Sequence, residues 1–151
     1  MRATYVVLAR AIGVLVLVQA ASIAFGTFGI LKFVEDGDDY TKSVADDRTA
    51  TGALGQNIHS FGAVAIALVA IVLLVVSFFA KIDGGLRWAG LVFLAVLAQW
   101  VFAIIAFSAP VVGMLHGLNA FVIFGVAMAA AQNARTSTRA ADPTTAPAPS
   151  A

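Results

Sequence analysis

Two imidazoles carry most of the chemistry this sequence offers. His59 stands in Asn57-Ile58-His59-Ser60-Phe61-Gly62 and His116 in Gly113-Met114-Leu115-His116-Gly117-Leu118-Asn119, each just inside the start of a long apolar segment. An ionisable side chain inside a membrane-length apolar helix is costly, so two placed alike point to a functional site. If both face one bundle interior, the economical reading is a ligand shared between them. A haem iron is the leading candidate, because it accepts an imidazole nitrogen on each of its two faces. Zinc is weaker, since two histidines supply half of its usual four ligands, and no outer-loop carboxylate has a fixed spacing to either.

The elements that must position these residues follow from composition. The chain has 151 residues, 61% hydrophobic and 11% charged, with no cysteine. Soluble domains carry about 25% charged residues, so this chain reads as a membrane protein. Without cysteine, disulfides, thiolate zinc, iron–sulfur clusters and covalent haem attachment are excluded. No basic patch with interleaved aromatics is present, so nucleic acid is not an expected partner.

Apolar runs of about 20 residues suffice to cross a hydrocarbon core of roughly 30 Å. Four are expected, over about 5–34, 58–80, 86–108 and 111–132, giving an all-α integral membrane four-helix bundle within 1–134. The polar stretch 35–57, the turn Lys81-Ile82-Asp83-Gly84-Gly85 and the corner Ser108-Ala109-Pro110 separate them. Proline at 110 suits the first turn of a helix, where its missing N–H costs nothing. The tail 135–151, ending in Pro-Thr-Thr-Ala-Pro-Ala-Pro-Ser-Ala, lacks apolar periodicity and is expected to be disordered on the cytoplasmic side.

Lysine and arginine placement sets the orientation. With the N-terminus inside, Arg2, Arg10, Lys81, Arg87, Arg135 and Arg139 lie on the inner side and Lys32, Lys42 and Arg48 on the outer. Both termini are therefore expected in the cytoplasm and the acidic 35–57 loop outside a bacterial plasma membrane. The loop carries Glu35, Asp36, Asp38, Asp39, Asp46 and Asp47 and reads as a solvated linker. A cleaved secretory signal is the alternative for the first span, but its apolar character runs on to Val34, past any cleavage point.

The two halves read alike. Gln19 and Gln99 fall mid-way along outward-running helices, and His59 and His116 in the outer part of inward-running ones. This predicts two pseudo-repeated helical hairpins related by an axis along the membrane normal, with both imidazoles at similar depth. Small residues beside them, Gly113 and Gly117 near His116 and Ser60, Gly62 and Ala63 near His59, would let a porphyrin approach the backbone. Each feature has a structural alternative. Gly113-xxx-Gly117 is also a helix-packing pattern, and Gln19 and Gln99 suit interhelical hydrogen bonds. Phe61, Trp100, Phe121 and Phe124 are candidate pocket aromatics or ordinary lipid-facing side chains.

With these residues in view, the pattern resembles one half of haem A synthase, a family of two fused four-helix bundles with histidines at the outer ends of the second and fourth helices. Ile58-His59-Ser60-Phe61-Gly62 and Leu115-His116-Gly117-Leu118-Asn119 occupy those places, and the likeness covers roughly residues 8–132. The chain resembles more closely a group of small four-helix membrane proteins of high-GC Gram-positive bacteria, with mid-helix glutamines and an HGLNA run, a likeness that carries no activity. The synthase's substrate half has a glutamate one turn before the first histidine, needed to oxidise the haem methyl group. Gln56 stands there instead and cannot ionise. The loop cysteine pair and a second bundle are missing too. The resemblance therefore implies the cofactor-holding half rather than stand-alone synthesis of haem A.

The expectation is thus one b-type haem between His59 and His116, with Gly62, Gly113 and Gly117 contributing room. Two strong axial ligands leave no open iron position, which favours electron transfer or haem handling over catalysis, with a quinone or another membrane redox protein as partner. Two other readings belong to different classes. One is a non-haem structural or accessory subunit of a larger membrane complex, with hydrogen-bonded histidines. The other is a small transporter or channel lined by Gln19, Gln99 and Asn119, which would require a homo-oligomer.

Overall fold

The computed structural model describes residues 1–140, with side chains through 137. They form five helices: α1 (Arg2–Glu35), α2 (Lys42–Asp47), α3 (Ala53–Ser77), α4 (Gly85–Ala106) and α5 (Val112–Ala140). Four of these, all but α2, are long and apolar enough to cross a membrane. Among the described residues there is no strand. The expected all-helical character and the four long segments are borne out, with shifted limits.

The shifts have local causes. α3 begins at Ala53, inside the polar 35–57 stretch, because Ala53 N donates to Ala50 O and Gln56 N to Gly52 O, opening the helix more than a turn before Ile58. α5 runs to Ala140, past the expected tail boundary, and no proline interrupts 133–140; within it the Thr136 and Ser137 hydroxyls bond back to Asn133 O. The rest of the expected disordered tail, 141–151, lies outside the described residues.

Two compact units divide the chain: one is Met1–Gly13 with the residues from Ala67 on, the other Val14–Ile66. In the first, α4 and α5 pack along each other. Its interior is built from small and branched side chains, among them Ala9, Ile12, Ala70, Leu73, Val92 and Ala127. Small residues let helix backbones approach, the packing mode expected where lipid rather than water competes for apolar surface. Tyr5, fully buried, donates its hydroxyl to Gly85 O at 2.8 Å. Arg2 Nη2 donates to Lys81 O at 2.5 Å, and Nε to Ala80 O at 3.3 Å, covering carbonyls past the end of α3. Asn133 Nδ2 ties α5 to the α3–α4 turn through Asp83 O at 2.8 Å.

In the second unit α1 and α3 approach closely. A methyl group at Gly52 would overlap Gly26 O, and one at Gly55 would overlap Ser22 O. Backbone meets backbone here, which only glycine permits. The acidic loop is not a plain linker: Thr41 caps α2 by accepting from Val44 N at 3.3 Å, and Arg48 ends it in the left-handed region (φ 54°). Lys32–Asp36 and Lys42–Asp46 form exposed ion pairs along helix faces, each contributing little to stability.

Apolar side chains cover the outside of both units: Val7, Leu68, Leu94 and Ile104 in the first and Leu17, Phe25 and Leu31 in the second are all exposed. Such surface is compatible with a bilayer as solvent.

Candidate functional site

Each histidine meets the glutamine of the long helix that precedes its own. In the second unit, His59 Nδ1 on α3 lies 3.2 Å from the backbone oxygen of Gln19 on α1. Gln19 is buried, and its Nε2 donates to Ile58 O at 3.3 Å, beside the histidine it supports. In the first unit, His116 Nδ1 on α5 lies 3.1 Å from the backbone oxygen of Gln99 on α4. The geometry repeats although the two pairs stand in separate units.

A carbonyl oxygen only accepts, so Nδ1 carries the proton in both rings. In a neutral imidazole the lone pair is then on Nε2, and a backbone carbonyl behind Nδ1–H is the support that metal-ligating histidines commonly have. Both rings are half-buried. At His116 the Gln99 side chain folds over the ring and places its Nε2 3.1 Å from His116 Nε2, donating to that lone pair. Gln99 Oε1 in turn accepts from Asn119 Nδ2 at 2.8 Å, which also donates to Ala95 O at 2.8 Å. Asn119, Gln99 and His116 thus form one chain in which each donor has an acceptor.

The glycines named from sequence divide. A methyl group at Gly62 would overlap the Gln19 side-chain amide, so the room expected beside His59 is filled by Gln19. Gly113 would meet Ala106 Cβ at 3.9 Å, ordinary contact, and Gly117 faces open space. Gly113-xxx-Gly117 therefore makes no tight helix contact among the described residues. Of the candidate aromatics, Phe61 and Phe121 are 72% and 76% exposed and Trp100 is exposed as well; Phe124 alone is half-buried, near Gly13. The outward placement of the first three suits lipid-facing side chains.

No three His, Asp or Glu side chains converge among the described residues, so a tetrahedral zinc set is not assembled there. Gln56, at the place of the synthase glutamate, lines a cavity of about 200 Å³ with Tyr40, Arg48 and Asn57, and its carbonyl takes the Ser60 hydroxyl. Arg48 donates to Asn57 Oδ1 across this cavity. No family model, curated protein or solved structure matches this chain.

Several residues that build the site were not singled out from sequence. Asn119, a pore-lining candidate by sequence, lies three residues from His116 and so on the same face of α5, the signal for a shared network. Gly26 and Gly29 on α1 and Gly52 and Gly55 at the start of α3 bring the two helices together around Gln19 and His59, and their shared three-residue spacing is the signal in the sequence.

Proposed function

We propose that the chain is a bacterial inner-membrane four-helix protein that holds one haem b through Nε2 of His59 and Nε2 of His116. In this reading the two hairpins are a pseudo-repeat, both termini are cytoplasmic and the 35–57 loop lies outside. The observation that carries it is the recurring contact of His Nδ1 with the backbone oxygen of Gln19 or Gln99, which in each case leaves Nε2 as the basic nitrogen. The resemblance to one half of haem A synthase supports the same pair.

Haem held this way supplies a one-electron iron couple, suited to exchange with a quinone or another membrane redox protein. The protein's part is orientation. The two carbonyls fix the ring planes, and α1 and α4 hold those carbonyls in place. At His116 the Gln99 amide would have to turn away from Nε2 to admit a ligand, and Asn119 would keep a second acceptor in Ala95 O. Open space at Gly117, one residue on, leaves the adjoining backbone approachable.

The contact between Gln99 Nε2 and His116 Nε2 favours a second reading, a non-haem accessory subunit whose histidines only hold helices together. The deciding experiment is an absorption spectrum of detergent-solubilised protein, oxidised and then reduced with dithionite. Near one haem per chain with resolved α and β bands on reduction, lost in His116→Ala and His59→Ala and kept in Gln56→Ala, supports the haem reading. A colourless protein after expression with ample haem, or His116→Ala with unchanged haem content, overturns it in favour of the accessory subunit.

A further inference from the structure

Two arginines from different helices line one cleft in the first unit. Arg10 of α1 and Arg135 of α5 border a cavity of about 540 Å³ with Met128, Ala131, Gln132 and Thr136. No carboxylate lines it, and among the described residues neither guanidinium is in an ion pair. Arg2, by contrast, spends its guanidinium on the Ala80 and Lys81 carbonyls. The Thr136 hydroxyl is engaged with the Gln132 and Asn133 carbonyls, so the donors facing the cleft are the two guanidinium groups and the exposed Gln132 amide.

α1 and α5 run close just beside the cleft: a methyl group at Gly13 would stand 3.0 Å from Met128 Sδ. Arg10 lies about 12 Å along α1 from Arg2, a depth at which a guanidinium must reach out to water or meet an anion. Its apolar lining comes from Met128, which is partly exposed, and the buried Ala131.

We infer that this cleft binds the phosphate of an anionic phospholipid, with Arg10 and Arg135 on the phosphate oxygens and the glycerol and upper acyl chain over the apolar lining. Guanidinium forks match phosphate geometry, and basic pockets between spanning helices on the cytoplasmic side take anionic lipid headgroups. A free phosphate would use the arginines but leave the apolar lining bare. The cleft is separate from His116, since Arg135 lies about 28 Å further along α5. The inference rests on the membrane reading of the chain but not on haem.

The test uses the full chain reconstituted into phosphatidylcholine vesicles containing about one-fifth phosphatidylglycerol. Retention of phosphatidylglycerol over phosphatidylcholine is read by native mass spectrometry after mild detergent release. Wild type is expected to retain phosphatidylglycerol selectively, with selectivity falling about fivefold for each of Arg10→Gln and Arg135→Gln. Arg87→Gln, the same charge change on exposed α4 surface, should leave it unchanged, and Arg10→Lys with Arg135→Lys should restore part of it. If the glutamine variants do not fold by circular dichroism, wild type alone decides, because its selectivity must collapse at high salt. Equal retention by wild type and the double glutamine variant, or an equal loss in Arg87→Gln, overturns the site. So does salt-insensitive wild-type selectivity. Inorganic phosphate displacing phosphatidylglycerol at micromolar concentration makes the ligand a free anion and overturns the lipid assignment. Extraction of wild type by alkaline carbonate overturns the membrane reading itself, a failure distinct from loss of selectivity in an embedded protein.

Discussion

His116 and Gln99 touch at both ring nitrogens: Nδ1 faces the Gln99 backbone oxygen at 3.1 Å and Nε2 faces the Gln99 side-chain nitrogen at 3.1 Å. One contact is fixed by the fold of α4, while the other depends on a side chain that can rotate. The first sets the tautomer, and the second occupies the lone pair.

Gln99→Ala separates the two readings of the site. It keeps the backbone carbonyl behind Nδ1 and uncovers Nε2. On the proposed function, haem content measured by pyridine haemochrome stays at or above the wild-type level. On the accessory reading no haem appears, and only stability falls, by about 0.6–2 kcal/mol for the lost side-chain bonds. Haem lost from a variant that stays folded counts against Gln99 as a movable cover.

Glycine substitutions should rank by what they strike. Gly55→Ala drives a methyl group into the α1 backbone at Ser22 O, which cannot yield without separating the helices, and a loss of about 3 kcal/mol is expected. Gly62→Ala strikes the end of the Gln19 side chain, which can swing aside for the loss of its bond to Ile58 O, about 1 kcal/mol. Unfolding in a detergent–denaturant titration checks the order. Equal losses would mean that the α1–α3 approach is looser than described.

Tyr5→Phe removes the buried hydroxyl from Gly85 O and leaves the ring packing unchanged. Stability should fall by about 1 kcal/mol with the fold intact. The same titration reads it, and an unchanged midpoint would mean that this bond contributes nothing net.

Arg48 holds the left-handed end of α2 with its N–H on Val44 O. Arg48→Gly suits that backbone, so loss of the exposed bond to Asn57 is offset and α2 keeps its amide-exchange protection. Arg48→Val, a branched side chain at φ 54°, should cost about 1–2 kcal/mol locally and abolish that protection.

Orientation is open to direct labelling because the chain has no cysteine. With the 35–57 loop outside, Ser43→Cys reacts with an impermeant maleimide in intact cells and Asp83→Cys reacts only after lysis. The reverse pattern would place both termini outside.

The sequence by itself determined the four long apolar segments, the turns at Gly84 and Pro110, and the mid-helix glutamines and near-terminal histidines. Apolar run length and turn chemistry are local properties, written in consecutive residues. It placed Gln19, His59, Gln99 and His116 on their helices but could not pair them, because pairing depends on helix rotation and approach. Those follow from where Gly26 meets Gly52 and Gly55, and from how closely α4 packs on α5. Only the tertiary structure decided that each histidine rests on a glutamine backbone oxygen, that Gly62 is filled by Gln19 while Gly117 is open, and that Phe61 and Phe121 point outward. The short α2 and its left-handed cap were hidden for a different reason. A six-residue helix among acidic residues has no apolar period to reveal it, and it is held instead by the Thr41 hydroxyl and the Arg48 backbone N–H.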